Sequence, residues 1–404
     1  MRYVKVMDNI AKDITRDGVA NLGDGYQKTD DMQRADAILV RASSLHGMDF
    51  GPDVRCVARS GAGFNNIPID ECARRGIVVF NTPGGNSNAV KELVVGMILV
   101  NSRDALGGMR WVLDNVEDPD IVRDAEKNKK AFVGREAIGR KVGVVGLGAV
   151  GSKVANALLH LGMDVYGYDP YLSVEHAWEL SKHVKRVDSM DELCRDADYV
   201  TLHVPSKEDT RRMMGTHELS LMRKGGMLIN YARADIIDED AVAAALEEGQ
   251  LGRFVCDFAT PKTTRMPRTL ITPHMGACTF EAEEHCAGMA VQQMKDYLEH
   301  GIVRNSVNYP DCDLGPCRTG GRIVALHANV PNMIGQITAI LAESNANIQR
   351  MANEAQADSA YTVIDLDQFV EVETLERLRE IPGIYRIRKI TPLAQRSDFK
   401  GICQ

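Results

Sequence analysis

Residues 142–151 read Val-Gly-Val-Val-Gly-Leu-Gly-Ala-Val-Gly, and the helix-like segment that follows runs on to Gly162. A short apolar run that turns on glycines into a helix constrains the chain to a parallel α/β unit, because the next parallel strand requires a crossover. The glycines have the G-x-G-x-x-G spacing. Gly146 permits the tight turn, Gly148 lets backbone N–H groups approach a pyrophosphate, and Gly151 lets helix and strand pack closely. The helix N-terminus adds partial positive charge. The dinucleotide-loop candidates are therefore Gly146, Gly148, Ala149, Val150 and Gly151. Asp169, 18 residues beyond Gly151, ends the strand-like VYGYD. A carboxylate there can accept from both ribose hydroxyls and would repel a 2′-phosphate, which predicts NAD over NADP. The competing reading of Asp169 is a turn residue before Pro170.

The strand–helix rhythm extends to both sides. Ala37–Arg41, Val54–Arg59 and Ile77–Asn81 read as buried strands before the glycine loop; Val165–Tyr168, Tyr199–Val204, Met227–Tyr231 and Phe254–Asp257 follow it. The segment 307–321, with two prolines and three glycines, is the clearest boundary. After it the pattern is strand, helix, strand, strand, helix, strand. The predicted fold class is α/β: two Rossmann-like doubly wound parallel-sheet domains plus a C-terminal ferredoxin-like βαββαβ domain. Expected boundaries are 1–100 with 275–306 for a substrate-binding domain, 101–274 for the NAD-binding Rossmann domain, 307–321 for a linker, 322–393 for the small domain and 394–404 for a tail. Hinges are expected near Asn101 and Val307.

The net charge of −8 argues against nucleic-acid partners. The longest apolar stretch, Leu93–Val100, is too short to span a membrane, and the N-terminus lacks the apolar core of a signal peptide. Nine scattered cysteines fit reduced thiols in a cytoplasmic protein, and the pair Cys312 and Cys317 has no further ligand cluster nearby, so no metal is expected.

Four further segments carry a resemblance: Leu202-His203-Val204-Pro205, Asn230-Tyr231-Ala232-Arg233, Cys256-Asp257-Phe258 and Pro273-His274-Met275-Gly276-Ala277. With the glycine loop they resemble the D-isomer-specific 2-hydroxyacid dehydrogenases over essentially residues 1–310. The resemblance implies cofactor contacts from His203, Val204, Pro205, Ala232 and Asp257. It implies that Arg233 grips the substrate carboxylate, a task suited to a planar, permanently charged fork. It implies that His274 exchanges the hydroxyl proton, as an imidazole can near neutral pH. One departure stands out. The family carries a glutamate in a segment like DVFxxEP that hydrogen-bonds the histidine. Here the chain reads DFATPKTTRMPRTLITPH, with no Asp or Glu between Asp257 and His274, and Thr260, Pro261 or Lys262 at the expected place. Glu281, Glu283 or Glu284 are the candidate substitutes. Without the acid the imidazolium is less stabilised, so ketone reduction at neutral pH is expected to suffer more than alcohol oxidation.

Arg41-Ala42-Ser43, Arg59-Ser60-Gly61-Ala62-Gly63 and Asn81-Thr82-Pro83-Gly84-Gly85 resemble the family's phosphoglycerate branch. The implied substrate contacts are Arg41 and Arg59 for a phosphate, and the backbone at Ser60 and Gly61 for a carboxylate. The implied reaction is NAD-dependent oxidation of D-3-phosphoglycerate to 3-phosphohydroxypyruvate, the first step of L-serine synthesis. Residues 320–393 resemble the ACT domain, a regulatory module. In its serine-sensing version a histidine and two asparagines bind L-serine between paired domains; His327, Asn329 and Asn347 stand at those positions, with Asn332 where glycine is usual. The resemblance also implies a homo-oligomer, a tetramer in the family's pattern. Alternatives left open are a dehydrogenase for 2-hydroxyglutarate or phosphoerythronate, and a non-catalytic NAD and amino-acid sensor.

Overall fold

The structure is a computed structural model, and residues 1–8, 22–23 and 25–391 are described below; the expected tail, 394–404, lies outside them. The fold class is as expected: two parallel α/β sheets and one small antiparallel sheet. The chain divides into two compact units, residues 1–85 with 283–404, and residues 86–282.

In the first unit, β1 (Arg2–Val6), β2 (Tyr26–Thr29), β3 (Ala37–Val40), β4 (Cys56–Arg59) and β5 (Val78–Phe80) form a parallel sheet of order β2-β1-β3-β4-β5. The short strands β3, β4 and β5 are almost wholly buried, which explains their unbroken apolar spelling. Alternation sends Ala37, Leu39, Cys56, Ala58, Val78 and Phe80 to one face, and Ile38, Val40, Val57 and Val79 to the other.

In the second unit, β6 (Lys141–Val145), β7 (Asp164–Tyr168), β8 (Lys185–Arg186), β9 (Tyr199–Leu202), β10 (Gly226–Asn230), β11 (Leu251–Cys256) and β12 (Thr269–Ile271) make a parallel sheet. Its order, β12-β11-β10-β9-β6-β7-β8, reverses direction between β6 and β9. That switch point is where open α/β sheets bind ligands, at the carboxyl ends of the strands. The expected boundary at residue 100 falls inside the helix Ser87–Ser102, whose Val90, Val94 and Ile98 pack with Val142, Val144 and Val154. That apolar stripe places the whole helix with the second sheet.

The C-terminal sheet has the order β14-β15-β13-β16, formed by β13 (Gly321–Ala328), β14 (Ile348–Gln356), β15 (Ser359–Leu366) and β16 (Ile384–Ile390). On one face Ile323, Ala325 and Ile364 meet Met333, Ile337 and Leu341 of the helix Met333–Glu343, and Leu375 and Leu378 of the helix Val372–Arg379. On the other, Val324, Leu326, Tyr361, Val363 and Ile390 enter the core of the first parallel sheet, beside Ala290, Val291, Met294, Tyr297 and Leu298 of the helix Phe280–His300. The two sheets and that helix therefore share one core, and segment 307–321 is built into it. Asn308 donates to Ile77 O and accepts from Val79 N, while Tyr309 is fully buried.

Polar contacts lock this arrangement. Arg322, almost fully buried, donates bidentately to Asp365 at 2.6 and 2.9 Å, and its Nη1 donates to the carbonyls of His300 and Gly315. Arg388 donates to the carbonyls of Tyr297 and Leu298 and lies over the Tyr297 ring. Removing one partner strands a buried charge, which costs roughly 3–5 kcal/mol. Arg322→Ala is therefore expected to lower stability by about that amount, measured from urea unfolding of the full chain; an unchanged midpoint would refute it.

Candidate active site

Glycine geometry explains the cofactor loop. Gly146 has φ +83°, its N–H donates to Tyr168 O at 2.8 Å, and a Cβ there would sit 2.9 Å from the backbone of His203. A Cβ on Gly151, the first residue of the helix Gly151–His160, would lie 1.8 Å from Gly146 O. A Cβ on Gly148 would meet nothing within 4 Å, so this face of the loop is open. Ala149 and Val150 complete the turn into that helix. Asp169 closes β7: its Oδ2 accepts from Leu147 N and its Oδ1 from Tyr171 N, each at 2.8 Å. Each carboxylate oxygen retains acceptor capacity. The open glycine face, the helix N-terminus and this carboxylate together fit a dinucleotide.

Two substitutions separate packing from binding at this loop. Gly151→Ala is expected to cost at least about 1–3 kcal/mol of overpacking and to lower both the melting temperature and NADH affinity. Gly148→Ala is expected to weaken NADH binding while the melting temperature holds. Fluorescence titration with NADH and thermal melts read both.

His203 follows β9, with Val204 and Pro205, behind the glycine turn. Its Nε2 pairs with Thr201 Oγ1 at 2.9 Å, and burial pushes its pKa down to about 3 from 6.5. The folded ring is thus neutral, whereas the unfolded chain binds a proton as pH falls below about 6.5. Stability contributed by this neutral ring is complete above that pH and is lost as pH drops toward 3, at up to about 1.4 kcal/mol per unit. The urea midpoint is expected to fall between pH 7 and pH 5, and to fall less in His203→Gln; equal slopes would contradict this.

The candidate reacting groups, Arg233 and His274, stand beyond the carboxyl ends of β10 and β11. Asn230, almost fully buried, accepts from Ala232 N and donates through Nδ2 to Arg233 O at 2.8 Å, which fixes the turn after β10. The Arg233 side chain is exposed and donates to Ala232 O at 2.6 Å. Among the described residues no carboxylate pairs with it. His274 has φ +55°, and its N–H donates to the carbonyls of Asp257 and Thr272, each at 3.0 Å. Asp257, 2% exposed, explains that turn: Oδ1 accepts from Met275 N at 2.8 Å and from the Thr272 hydroxyl, and Oδ2 accepts from Gly276 N at 2.8 Å. The Thr272 hydroxyl also reaches Tyr231 OH at 3.1 Å, which ties the Arg233 and His274 loops together. The carboxylate bonds of Asp257 thus all go to the loop around His274, while its backbone N–H donates to Asn230 O at 3.1 Å.

The ring of His274 packs edge-on against Phe258, with centroids 5.1 Å apart, and accepts or donates no hydrogen bond among the described residues. The residues at the place of the family's glutamate are engaged elsewhere. Thr260 Oγ1 donates to Glu239 at 2.9 Å, and Lys262 pairs with Asp240. Of the suggested substitutes, Glu281 makes no hydrogen bond to the ring, and Glu283 pairs with Arg41.

In the first unit Arg41 and Arg59 close β3 and β4. Arg59 Nε donates to Asn66 Oδ1 at 3.1 Å, and its guanidinium would lie 2.4 Å from a Cβ on Gly61, whose φ is +140°. Gly61 N donates to the buried Thr82 hydroxyl at 2.8 Å, and Ser60 N to Val40 O at 2.9 Å. The Arg41–Glu283 pair was not legible, because 242 residues separate its members. In the C-terminal sheet His327 is 2% exposed, with Nδ1 paired to Ala328 O and Nε2 to Thr362 Oγ1, and burial lowers its pKa. Asn329 lies just past the same end of β13 and donates to Ala357 O. Asn347 precedes β14 beside Asp367, at the opposite end of the sheet, so one chain does not bring the three together. Asn332 adopts φ +62°, the conformation for which glycine is usual.

Residues 96–276 match the family model for the NAD-binding domain of D-isomer-specific 2-hydroxyacid dehydrogenases. The chain belongs to that family of NAD-dependent oxidoreductases. D-3-phosphoglycerate dehydrogenase of Escherichia coli strain K12 is 33% identical over 342 residues, covering 81% of this chain and 79% of that one. The Methanocaldococcus jannaschii protein of the same name is 32% identical over 69% of this chain and 52% of its own length. A solved structure described as cofactor (NAD+)-bound 3-phosphoglycerate dehydrogenase in Entamoeba histolytica superposes with a TM-score of 0.58 at 26% identity, covering 76% of this chain and 98% of that one. Among the described residues no helix is long and apolar enough to cross a membrane, and no cluster of three or more His, Cys, Asp or Glu side chains is placed to hold a metal.

Proposed function

We propose that the chain oxidises D-3-phosphoglycerate to 3-phosphohydroxypyruvate with NAD. The observation that carries this reading is Arg233, exposed and without a carboxylate partner among the described residues, on a turn tied through Tyr231 and Thr272 to the turn bearing His274. An arginine so placed grips the substrate carboxylate through two parallel hydrogen bonds and polarises the neighbouring C2 oxygen. His274 takes the C2 hydroxyl proton as the C2–H bond breaks, and returns it in the reverse direction. NAD, when bound, accepts the hydride. Gly146, Gly148, Ala149, Val150, Gly151 and Asp169 hold it, with His203, Val204, Pro205 and Ala232 beside it. Asp257 serves both its carboxamide and the His274 loop. The names of the relatives and the presence of Arg41 and Arg59 support a phosphorylated substrate over 2-hydroxyglutarate; phosphoerythronate is the other phosphorylated candidate.

The C-terminal domain, 322–393, is read as an ACT module that senses L-serine across two paired copies. Pairing is supported by the placement of Asn347 away from His327 and Asn329, and His327 must give up one present bond to reach a ligand. An oligomer, a tetramer on the family's pattern, is supported by the helices Ala105–Asp114 and Ile121–Asn128, which bury no residue; Leu113 is 70% exposed and Val122 is 80% exposed. The scattered cysteines, free thiols among the described residues, favour the cytoplasm.

NADH consumption with 3-phosphohydroxypyruvate, with and without L-serine and at several pH values, tests the reading. Turnover suppressed by serine supports both assignments, and turnover without suppression removes the sensor. A second reading, a non-catalytic NAD sensor, rests on the His274 ring having no carboxylate partner; it gains if the protein binds NADH yet turns over no 2-ketoacid at any pH.

A further inference from the structure

The second unit has a cavity of about 200 Å³ at the amino ends of β6, β9, β10 and β11, lined by Arg135, Arg140, Asp198, Gly225, Gly252 and Arg253 among others. The carboxyl ends of these strands carry Gly146, His203, Asn230 and Asp257, so the cavity opens at the opposite edge of the sheet from the catalytic groups. Its charge is unbalanced. Asp198, 6% exposed, is already satisfied: Oδ2 accepts from Lys141 N at 3.1 Å, and Arg223 Nη1 lies 2.9 and 3.1 Å from its two oxygens. Arg140 and Arg135 approach the same carboxylate only to 3.7 and 3.9 Å, beyond hydrogen-bond distance. Neither guanidinium has another hydrogen-bond partner among the described residues. Arg253 is held at 3.0 Å by Asn101 and at 3.1 Å by Asp104. Four guanidinium groups therefore meet two carboxylates, and two of the forks reach Asp198 only at ion-pair range without a hydrogen bond among the described residues.

Glycines shape the floor. The register of β10 and β11 shifts between Gly226 and Met227, leaving Gly252 as the extra residue; a Cβ there would lie 2.4 Å from Gly225 O. A Cβ on Gly134 would lie 2.1 Å from Ser102 O, so the segment entering β6 also closes backbone against backbone. The space is smaller than the roughly 300–1,000 Å³ of drug-sized ligand sites, which limits the occupant to a small molecule or ion, and the guanidinium groups select for negative charge.

We propose that this cavity is a binding site for a phosphate dianion, held by Arg135 and Arg140 with Arg253 behind them. Planar guanidinium forks grip phosphate oxygens in pairs, and the surplus positive charge favours a dianion over a neutral molecule. The phosphate comes either free or as the head of a small phosphomonoester. The proposal is independent of the substrate assigned above.

The full chain, saturated with NADH, is titrated with inorganic phosphate and separately with glycerol 2-phosphate, read by thermal shift. Saturable stabilisation is expected with at least one of them. In the double variant Arg135→Gln/Arg140→Gln the apparent Kd is expected to rise at least about tenfold, which is about 1.4 kcal/mol, with turnover in phosphate-free buffer unchanged. Arg135→Gln alone, a change to a largely exposed side chain, guards against a folding failure and is expected to weaken binding in the same direction. Tighter binding of glycerol 2-phosphate than of phosphate would identify a phosphomonoester; the reverse order would identify free phosphate. No saturable response in the native chain, or a response unchanged in the double variant but lost in Arg59→Gln, would overturn the site.

Discussion

Replacing His274 by glutamine is expected to lower kcat by about 10²–10⁴-fold, the range that a positioned acid–base group supplies. NADH affinity is expected to stay within about twofold, because the ring touches Phe258 and not the glycine loop. The turn itself should survive, since the bonds that define it are made by the backbone N–H of residue 274 and by Asp257, and glutamine retains the first. The pH dependence carries more information than the rate. Reduction draws its proton from this ring, whereas oxidation delivers one to it. Reduction of the ketoacid should therefore fall, and oxidation of the hydroxyacid rise, as pH increases. Stopped-flow rates in both directions from pH 5 to pH 9 measure this. Parallel profiles, or an H274Q enzyme within tenfold of native, would remove His274 from its assigned role.

Arg233→Gln should be of similar size but differ in kind. Two charge-assisted hydrogen bonds to a carboxylate are worth roughly 1.5–3 kcal/mol each, so kcat/KM is expected to fall about 10²–10⁴-fold. Glutamine keeps a donor but not the paired fork or the charge. Arg233→Lys should recover charge without the fork and stand between the two. Stability should barely move, because Arg233 is exposed and, among the described residues, its side chain bonds only to the neighbouring carbonyl. A variant that loses KM alone, with kcat intact, would mean that the arginine binds ground state and transition state equally.

What could be read from the sequence followed range along the chain. The glycine loop and Asp169 are local: turn, helix start and capping carboxylate lie within a few tens of residues, and each spacing has a steric or electrostatic reason. The βαββαβ order was legible for the same reason, since strand and helix periodicities are local. The buried strands of both parallel sheets stood out as short apolar runs bounded by turn residues. β1 was less visible, because Arg2, Tyr3 and Lys5 mix charge with apolar character. Pairings that depend on folding stayed hidden. Nothing in the spelling links Arg41 to Glu283, or sets Arg322 between Asp365 and the end of a helix that precedes it. The boundary at residue 86 was displaced by the same cause. Pro83, Gly84 and Gly85 mark where the helix Ser87–Ser102 begins, but only its packing partners assign it to the second sheet. The carboxylate of Asp257 could be expected near the cofactor from the resemblance, but its grip on the N–H groups of Met275 and Gly276 belongs to three dimensions.

The shared core beneath the C-terminal sheet bears on how a chain of this kind can be remodelled. A domain joined by a tether can be exchanged for another by recombination at the tether, with little regard for its surface. Here one face of the sheet is the lid of another layer's interior, and Arg322 and Arg388 are keyed to particular carbonyls of the helix beneath. An exchanged module would have to bring the same apolar relief and the same two guanidinium keys, or the chain would open a wound where Tyr361 and Leu326 now lie. Substitutions are therefore easiest to accommodate on the helix-covered face and at the strand ends, where side chains can change without disturbing that seam.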